Sequence, residues 1–415
     1  MIQLHGDSAG STLWLVTARG IVVSVVLLAL AVWNQSAPLA AMAALILALA
    51  GVTRLWSFLA LHSVQCTLEF RDDRAFPDDE IDLILRVSGR GPIPIPWLEV
   101  DFTVPRGLYA TPEPGLGVLS GDGRALHLLV TLMPLRTVER TIRVRCRQRG
   151  AYEVESISLL VADPLRLYPR RIERASGAKL LVFPRIVPLE QIGFRAGLPI
   201  GDLRAPAVIL PDPSRPIGVR DYRPGDSPRQ IHWKASARRG TIQVKILERT
   251  VRRDLAIYFD VGGFDHSWLV YREALFERAV TAAASLANAT IERGGAVSLA
   301  CGGSDPVALP SNTGLDQLRA ILEALAVAQP TEGRPIDSML TATLTRQPPG
   351  TTIVVLTPLP EEPLLSELAP ARRRGHPVAI VYCGLRQVEP PDGVAWFDLG
   401  RERDVVTALA AEYRP

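Results

Sequence analysis

Two apolar runs stand close together at the start of the chain, in a form that the core of a water-soluble domain does not need. Ile21 to Trp33 follows Arg19, and Ala37 to Thr53 precedes Arg54. At about 1.5 Å per residue the first run spans only roughly 20 Å. It must extend back through "TLWLVTA" to cross a hydrocarbon core of about 30 Å. The second continues through "LWSFLAL" in the same way. The link between them, "NQSAP", carries no charge and has room only for a tight helical hairpin. Arg19 and Arg54 then lie toward one membrane face, where both can snorkel to phosphates. Trp14 and Trp56 fall at that face and Trp33 at the opposite one, as an aromatic belt predicts. All nearby positive charge is on the arginine side, so the positive-inside rule puts both termini in the cytoplasm. The competing reading is a signal peptide cleaved near "QSA", and a second long apolar run directly after it weighs against that. Residues 1–64 are expected to be a two-pass transmembrane helical hairpin in the inner cell membrane.

A chain of 415 residues exceeds what one hydrophobic core usually organises. From Cys66 to about Arg170 the pattern is short strands broken by turns. "CTLEF", "EIDLILRVS", "WLEVDFTVP", "ALHLLVTLM", "RTIRVRCR" and "ESISLLVAD" alternate apolar and polar residues, and "GRGPIPIP" and "TPEPGLG" punctuate them. This spacing reads as an all-β sandwich over 65–172, with Trp97 and Tyr152 as core residues. "KLLVFPRIVPLE" begins as a strand and ends in prolines, and "FRAGLPIGDLRAPAVILPDPSRPIG" has no clear period. Residues 173–250 are therefore read as a connector, a long loop that then enters the strand "TIQVKILERTV". From 251 to 415 buried strands alternate with amphipathic helices: "LAIYFDV", "YREALFERAVTAAASLANATIERGG", "AVSLACG", "LDQLRAILEALAVA", "TTIVVLTP", "LLSELAPARRRG", "PVAIVYCG", "GVAWFDLG" and "VVTALAAEYR". That alternation predicts a doubly wound α/β domain with a mostly parallel sheet.

The formal net charge of +3 is small for this length and leaves no concentrated basic face of the kind nucleic acid requires. Of the 46 basic residues, 43 are Arg, and two of the three lysines, Lys234 and Lys245, fall in or just after one unusual segment. The four cysteines, Cys66, Cys146, Cys301 and Cys383, show no metal-ligand spacing and are expected to be reduced thiols.

That segment is "RDYRPGDSPRQIHWKASARRG", Arg220 to Gly240. Pro224 and Gly225 make a turn, with Pro fixing φ and Gly free to take positive φ. Asp226, Ser227 and Pro228 read as the cap and first turn of a short helix through "RQIHWKASAR", which Gly240 ends. On it Gln230, Trp233 and Ala237 share one face, and Lys234 and Arg238 the next. Asp221 and Asp226 can pair with Arg220, Arg223 or Arg229 as carboxylate–guanidinium forks. Three readings stand side by side. The segment is a structural clasp with a buried Trp233, a surface for a partner protein, or a ligand-binding or hydrolytic site built on Arg229, Lys234 and Asp226. His232 and Ser236 are four residues apart, yet no third orienting group completes a catalytic set.

The same residues carry a family resemblance. Arg220, Asp221, Tyr222, Pro224, Gly225, Asp226, Arg229, Ile231, Trp233, Lys234, Ala237 and Arg238 resemble the signature of the bacterial family called domain of unknown function 58. Upstream, "RGAYEVESISLLVADPLRLY" is similar to that family's Arg-Gly–Tyr strand and Asp-Pro–Phe-Gly-Leu turn, with Leu165 and Arg166 where Phe and Gly are usual. The resemblance implies a membrane-anchored protein with a von Willebrand factor A-like α/β domain, working beside an AAA+ ATPase of the MoxR class, with no enzymatic activity. The metal site of such a domain needs Asp-x-Ser-x-Ser after its first strand. Here the positions are Asp260, Gly262 and Phe264, and Pro358 replaces a later acid. A hard cation needs several oxygen ligands, so no metal and no other cofactor is expected.

The expectation is thus a non-enzymatic adaptor or chaperone-like scaffold tethered to the membrane. Its topology has a direct check. An impermeant thiol reagent added outside intact cells should label a cysteine placed at Ser36 but not one placed at Ser8 or Ser11; labelling of the N-terminal pair overturns the orientation.

Overall fold

The computed structural model describes residues 18–111, 124–166, 168–192, 209–224, 226–251, 254–264, 272–331, 333–384, 386 and 388–399. The chain divides into two compact units, Met1–Phe183 and Pro184–Pro415. The expected boundary at 172/173 does not coincide with this division: one strand, Arg170–Val182, runs straight across it as part of the sandwich.

The first unit opens with helices α1 (Ala18–Trp33) and α2 (Ala37–Ser63), joined by a turn in which Gln35 adopts φ +50°. By length and composition α2 can cross a membrane, whereas the described part of α1 is a shorter apolar helix. The buried positions are small: Ser24 and Ala31 on α1, Ala43, Ala50 and Thr53 on α2. Val22, Val26, Leu30, Leu45 and Val52 are exposed instead. Small residues inside and large apolar ones outside is the arrangement that lipid surroundings favour. The last turns of α2 behave differently. Trp56, Ala60 and Leu61 pack on the sandwich core, and Ser57 Oγ donates to the Tyr168 carbonyl at 3.0 Å. Trp56, expected at a membrane face, is therefore half-buried against protein, because α2 runs without a loop into the first strand.

The sandwich consists of β1 (Val64–Phe70), β2 (Arg74–Ala75), β3 (Glu80–Gly89), β4 (Ile95–Thr103), β5 (Leu108–Ala110), β6 (Ala125–Leu132), β7 (Thr137–Cys146), β8 (Gly150–Ala162) and β9 (Arg170–Val182). One sheet has the order β1-β3-β7-β5, the other β2-β9-β8-β4-β6. Alternation decides which side chains face between them. Ile81, Leu83, Leu85 and Val87 of β3 are buried, as are Leu98, Val100 and Phe102 of β4. On β8 the buried series steps by three, from Val154 to Ile157, and a bulge between Val154 and Ser156 absorbs the extra residue. Trp97 is not the core residue expected; it is half-buried, with the Arg166 guanidinium 4.2 Å above its ring. Tyr152 does pack against the core, and its hydroxyl donates to the Gln148 carbonyl at 2.8 Å.

In the second unit a short 3₁₀ turn, Leu189–Ile192, precedes an antiparallel ribbon of β10 (Ile209–Asp221) and β11 (Gln243–Val251). Residues 209–217, expected in a loop, are strand, with register shifts where Pro216 interrupts the ladder. The short helix α3 (Trp233–Arg239) lies in the loop that closes the ribbon. Then follow β12 (Leu255–Phe259), α4 (Arg272–Glu292), β13 (Val297–Cys301), β14 (Val307–Asn312), α5 (Leu315–Val327), α6 (Ile336–Leu344), β15 (Thr352–Thr357), α7 (Glu362–Arg373), β16 (Val378–Tyr382) and β17 (Ala395–Asp398). The sheet order is β14-β13-β12-β15-β16-β17, parallel except for β14. The four inner strands are buried along their whole length, which is why they read as continuous apolar runs. The helix expected over "VVTALAAEYR" lies outside the described residues. The sequence reading missed α6 and β14, one short and one an alternating edge strand.

Gly107 gives a test of the sandwich packing. It sits at φ +98°, and a Cβ there would lie 2.2 Å from the Tyr152 hydroxyl, whereas Gly177 at φ +69° faces open space. Gly177→Ala should cost only the left-handed penalty of about 1–2 kcal/mol. Gly107→Ala should lower the thermal midpoint of the detergent-solubilised protein distinctly more, and equal shifts would show that Tyr152 is not packed as described.

Candidate functional site

The signature segment is the closing loop of the β10–β11 ribbon. Asp221 pairs with Gln243 at the end of the ladder, and the Tyr222 N–H donates to the Ile242 carbonyl at 2.9 Å. Within the loop the Asp226 N–H bonds back to the Arg223 carbonyl at 3.0 Å, closing the expected turn around Pro224. Gly225 and the side chain of Arg229 lie outside the described residues.

Asp226 is held from two sides. Arg220 grips it bidentately, Nη1 to Oδ2 at 2.7 Å and Nη2 to Oδ1 at 2.6 Å, and the Arg223 N–H donates to Oδ2 at 2.8 Å. These donors, Arg220 first, hold the Asp226 carboxyl down at about 2. Among the described side chains this is the expected fork that forms; Asp221 accepts from the Gln243 side-chain amide.

The helix begins later than its sequence suggested. Pro228–Gln230 is a 3₁₀ turn, Ile231 makes an isolated bridge to Val244, and α3 starts at Trp233. Neither Asp226 nor Ser227 caps it. Asp226 is spent on Arg220, and the cap is His232, whose Nδ1 accepts from the Ala235 N–H at 3.2 Å. Gln230 is thus not on the helix, and the face it was to share with Trp233 does not form. Gly240, at φ 72°, ends the helix as expected.

Gln243, which the sequence reading passed over, is the fully buried polar residue here. Its Nε2 donates to Asp221 and to Thr241 Oγ1, and its Oε1 accepts from Arg239. Its backbone N–H donates to Ser236 Oγ at 2.8 Å, and its carbonyl accepts from the His232 N–H. Ser236 Oγ in turn donates to the His232 carbonyl at 3.1 Å. His232 and Ser236 are therefore joined through caps and backbone, and no hydrogen bond between their side chains sets up a nucleophile and base. A polar residue entering a β-strand two places after a turn is the sole sequence signal that could have marked Gln243.

Trp233 corrects the clasp expectation directly. It is 72% exposed, and no residue of α3 is buried. The reason is the late helix start: the loop's anchoring falls to Arg220, Asp226 and Gln243, and α3 is carried on the outside. Tyr222 and Ile242 are exposed as well, and Lys234 and Arg238 project to solvent with no ion-pair partner among the described residues. The outcome is a braced loop that displays an aromatic ring among cations.

The second place worth attention is the crevice at the carboxyl ends of β12 and β15, where strand order reverses. Asp260 follows β12; its Oδ1 accepts from the Gly263 N–H at 3.1 Å and its Oδ2 from Thr357 Oγ1 at 2.7 Å. Phe264 is fully buried and packs edge-on to Phe276 with centroids 5.2 Å apart. Gly263 leaves no room, since an added Cβ would lie 2.4 Å from Asp260 Oδ2. Among the described residues no group of three His, Cys, Asp or Glu side chains is arranged to hold a metal. The cysteines are free thiols, and burial pushes Cys66 and Cys146 up to about 11 and Cys301 up to about 12.

Residues 218–393 match the family model described as "Protein of unknown function DUF58". That stretch is similar to this family. It takes in the end of β10, the whole signature loop and the sheet through β16, so the resemblance read from the motif holds over that stretch. The "Uncharacterized protein YeaD" of Bacillus subtilis (strain 168) is 22% identical over 284 residues, 66% of this chain and 65% of the relative. The match thus spans just under two thirds of that relative's length. Among solved structures, an alpha-2-macroglobulin fragment from Escherichia coli aligns at TM-score 0.24 with 13% identity, covering 29% of this chain and 24% of that one. A non-cellulosomal cohesin from Archaeoglobus fulgidus aligns at TM-score 0.21 with 10% identity, covering 32% of this chain and 96% of that one. Scores of this size carry no argument about fold or function.

Stability of the matched region and display of its tryptophan should separate cleanly. Asp226→Asn and Gln243→Ala should each lower the thermal midpoint, because each leaves braced partners without a bond. Trp233→Ala should leave it unchanged. The depressed Asp226 carboxyl contributes stability that is present above its unfolded value near about 4 and lost as pH falls through about 2. The midpoint difference between parent and Asp226→Asn should accordingly be constant above about pH 5 and shrink below about pH 4. A destabilised Trp233→Ala would restore the clasp.

Proposed function

We propose that this chain is a membrane-anchored, non-enzymatic adaptor or chaperone-like scaffold whose signature loop docks a cytoplasmic AAA+ ATPase of the MoxR class. The observation that carries it is Trp233, 72% exposed on a short helix beside Lys234 and Arg238, on a loop braced by Arg220–Asp226 and Gln243. An exposed Trp flanked by cations on a preorganised support is the composition of an interface hot spot. The cations point to an acidic patch on the partner. The ligand-binding or hydrolytic alternative has weaker support, since Asp226 is consumed by Arg220 and the Ser236 hydroxyl by backbone groups.

The α/β part is read as a von Willebrand factor A-like domain. In its own numbering the strand order is third, second, first, fourth, fifth, sixth, with the third antiparallel. The would-be metal site is given over to packing by Phe264 and to hydrogen bonds at Asp260, which favours recognition without a cation. Anchoring is read as two-pass, with α1 and α2 as the hairpin and both soluble parts in the cytoplasm. The exposed arginines in the second half of α2 and just beyond it, Arg54, Arg90 and Arg136, support that orientation.

The test is affinity capture of the full chain from membranes, followed by an ATPase assay of the eluate. The parent should retain an ATPase that Trp233→Ala and the pair Lys234→Glu, Arg238→Glu lose, at unchanged thermal midpoints. The expected weakening for Trp233→Ala is about 2 kcal/mol or more, roughly 30-fold in affinity. Equal ATPase recovery with all variants overturns the docking surface.

A further inference from the structure

Three loops of the sandwich gather at the end where α2 enters it. The Arg90 N–H, in the β3–β4 loop, donates to the Ser63 carbonyl at 2.8 Å. Next to it the Gly89 N–H donates to the Arg136 carbonyl at 3.0 Å, which brings in the β6–β7 turn. The β8–β9 loop is tied to the helix by Ser57 on the Tyr168 carbonyl and by the Arg54 guanidinium 4.9 Å from the Tyr168 ring.

Two of these loops repeat the tripeptide Pro-Leu-Arg: Pro134-Leu135-Arg136 and Pro164-Leu165-Arg166. Each is closed as a turn, the Arg136 N–H to the Met133 carbonyl at 3.2 Å and the Arg166 N–H to the Asp163 carbonyl at 2.9 Å. Buried Asp163 pins the second loop further, accepting from the N–H groups of Leu165 at 3.0 Å and Tyr168 at 2.7 Å. These ordered turns push apolar side chains into solvent: Leu135 is 75% exposed, Met133 60% and Leu165 55%. Leu135 holds this position at φ +53°, where glycine would be relaxed. Exposure and backbone strain at one residue make sense when the side chain itself is used.

The surroundings name the occupant. On the outward side of α2, Leu55, Phe58 and Leu59 are exposed, so the helix's apolar surface continues down to the level of these loops. Arg54, Arg90, Arg136 and Arg166 are exposed around the same end. Apolar tips ringed by arginine, continuous with an apolar helix, match the layered chemistry of an anionic lipid surface. We propose that this end of the sandwich is a lipid-contacting face. Met133, Leu135 and Leu165 enter the interfacial layer, and Arg54, Arg90 and Arg136 engage phosphates of anionic headgroups, while Arg166 is held by Glu99 and the Trp97 ring. The proposal rests on the reading that α2 crosses a bilayer.

The test uses the full chain in vesicles of phosphatidylglycerol and phosphatidylcholine, on a Cys66→Ser background. An environment-sensitive fluorophore is placed on Leu135→Cys or Leu165→Cys, with Leu45→Cys as the reference within α2. Gln148→Cys, in the β7–β8 loop at the opposite end, is the reference in water. Lipids carrying a shallow nitroxide should quench the Leu135 and Leu165 positions several-fold more than the Gln148 position. Arg90→Glu with Arg136→Glu should reduce quenching at the Leu135 position, and replacing phosphatidylglycerol by phosphatidylcholine should do the same. If the Leu45 position is not quenched by a deep nitroxide, the membrane reading itself fails. If Leu45 is quenched while Leu135 and Leu165 behave like Gln148, the lipid-contacting face alone is overturned. Shielding of both positions from aqueous iodide without lipid quenching also overturns it, in favour of contact between two copies of the chain.

Discussion

A buried side-chain amide has to find partners, and Gln243 finds all of its own within one loop. It closes the β10–β11 ribbon through Asp221, receives Arg239 from the helix end, and takes Ser236 on its backbone N–H. The arrangement fixes where α3 lies relative to the ribbon, and Arg220–Asp226 fixes the turn before it. With those two braces in place the helix needs no hydrophobic anchor. Trp233 is left exposed to solvent, and the proposed docking role rests on that.

The α/β sheet is organised by a different economy. Its four inner strands are buried throughout, and near their carboxyl ends Phe259, Phe264 and Phe276 pack ring against ring. Asp260 keeps its place but gives both oxygens to Gly263 and Thr357, so a carboxylate that could have met a cation serves as a loop brace. In the first unit α2 keeps an apolar outer surface while its last turns pack on the sandwich.

Much of the candidate site was legible. The turn at Pro224, the stop at Gly240 and a carboxylate–guanidinium fork on Asp226 all follow from local chemistry. Arg166 stands at φ +55°, in the left-handed region that glycine enters without strain, so a side chain there is held against its backbone preference. What could not be read was the competition for Asp226. As a free residue before Ser-Pro it is a plausible cap; once Arg220 claims it across the ladder's end, the helix must start at Trp233 and take His232 instead. Arg220 and Asp226 are close in sequence, but which of several arginines wins depends on the ribbon's register.

The sequence by itself determined six of the nine sandwich strands, the parallel core of the sheet and the long apolar helix, because side-chain periodicity of 2 and 3.6 residues is a local property. It also determined that Gly262 and Phe264, two and four residues after Asp260, offer no side-chain oxygen, since composition at fixed spacing is local too. Only the tertiary structure decided that Trp233 faces solvent, that Gln243 is the buried hub, and that two Pro-Leu-Arg turns separated by 30 residues stand beside the same helix end. Those facts depend on strand register and on which polar groups reach each other first. Both are settled by contacts between segments far apart in the chain, and no local pattern records them.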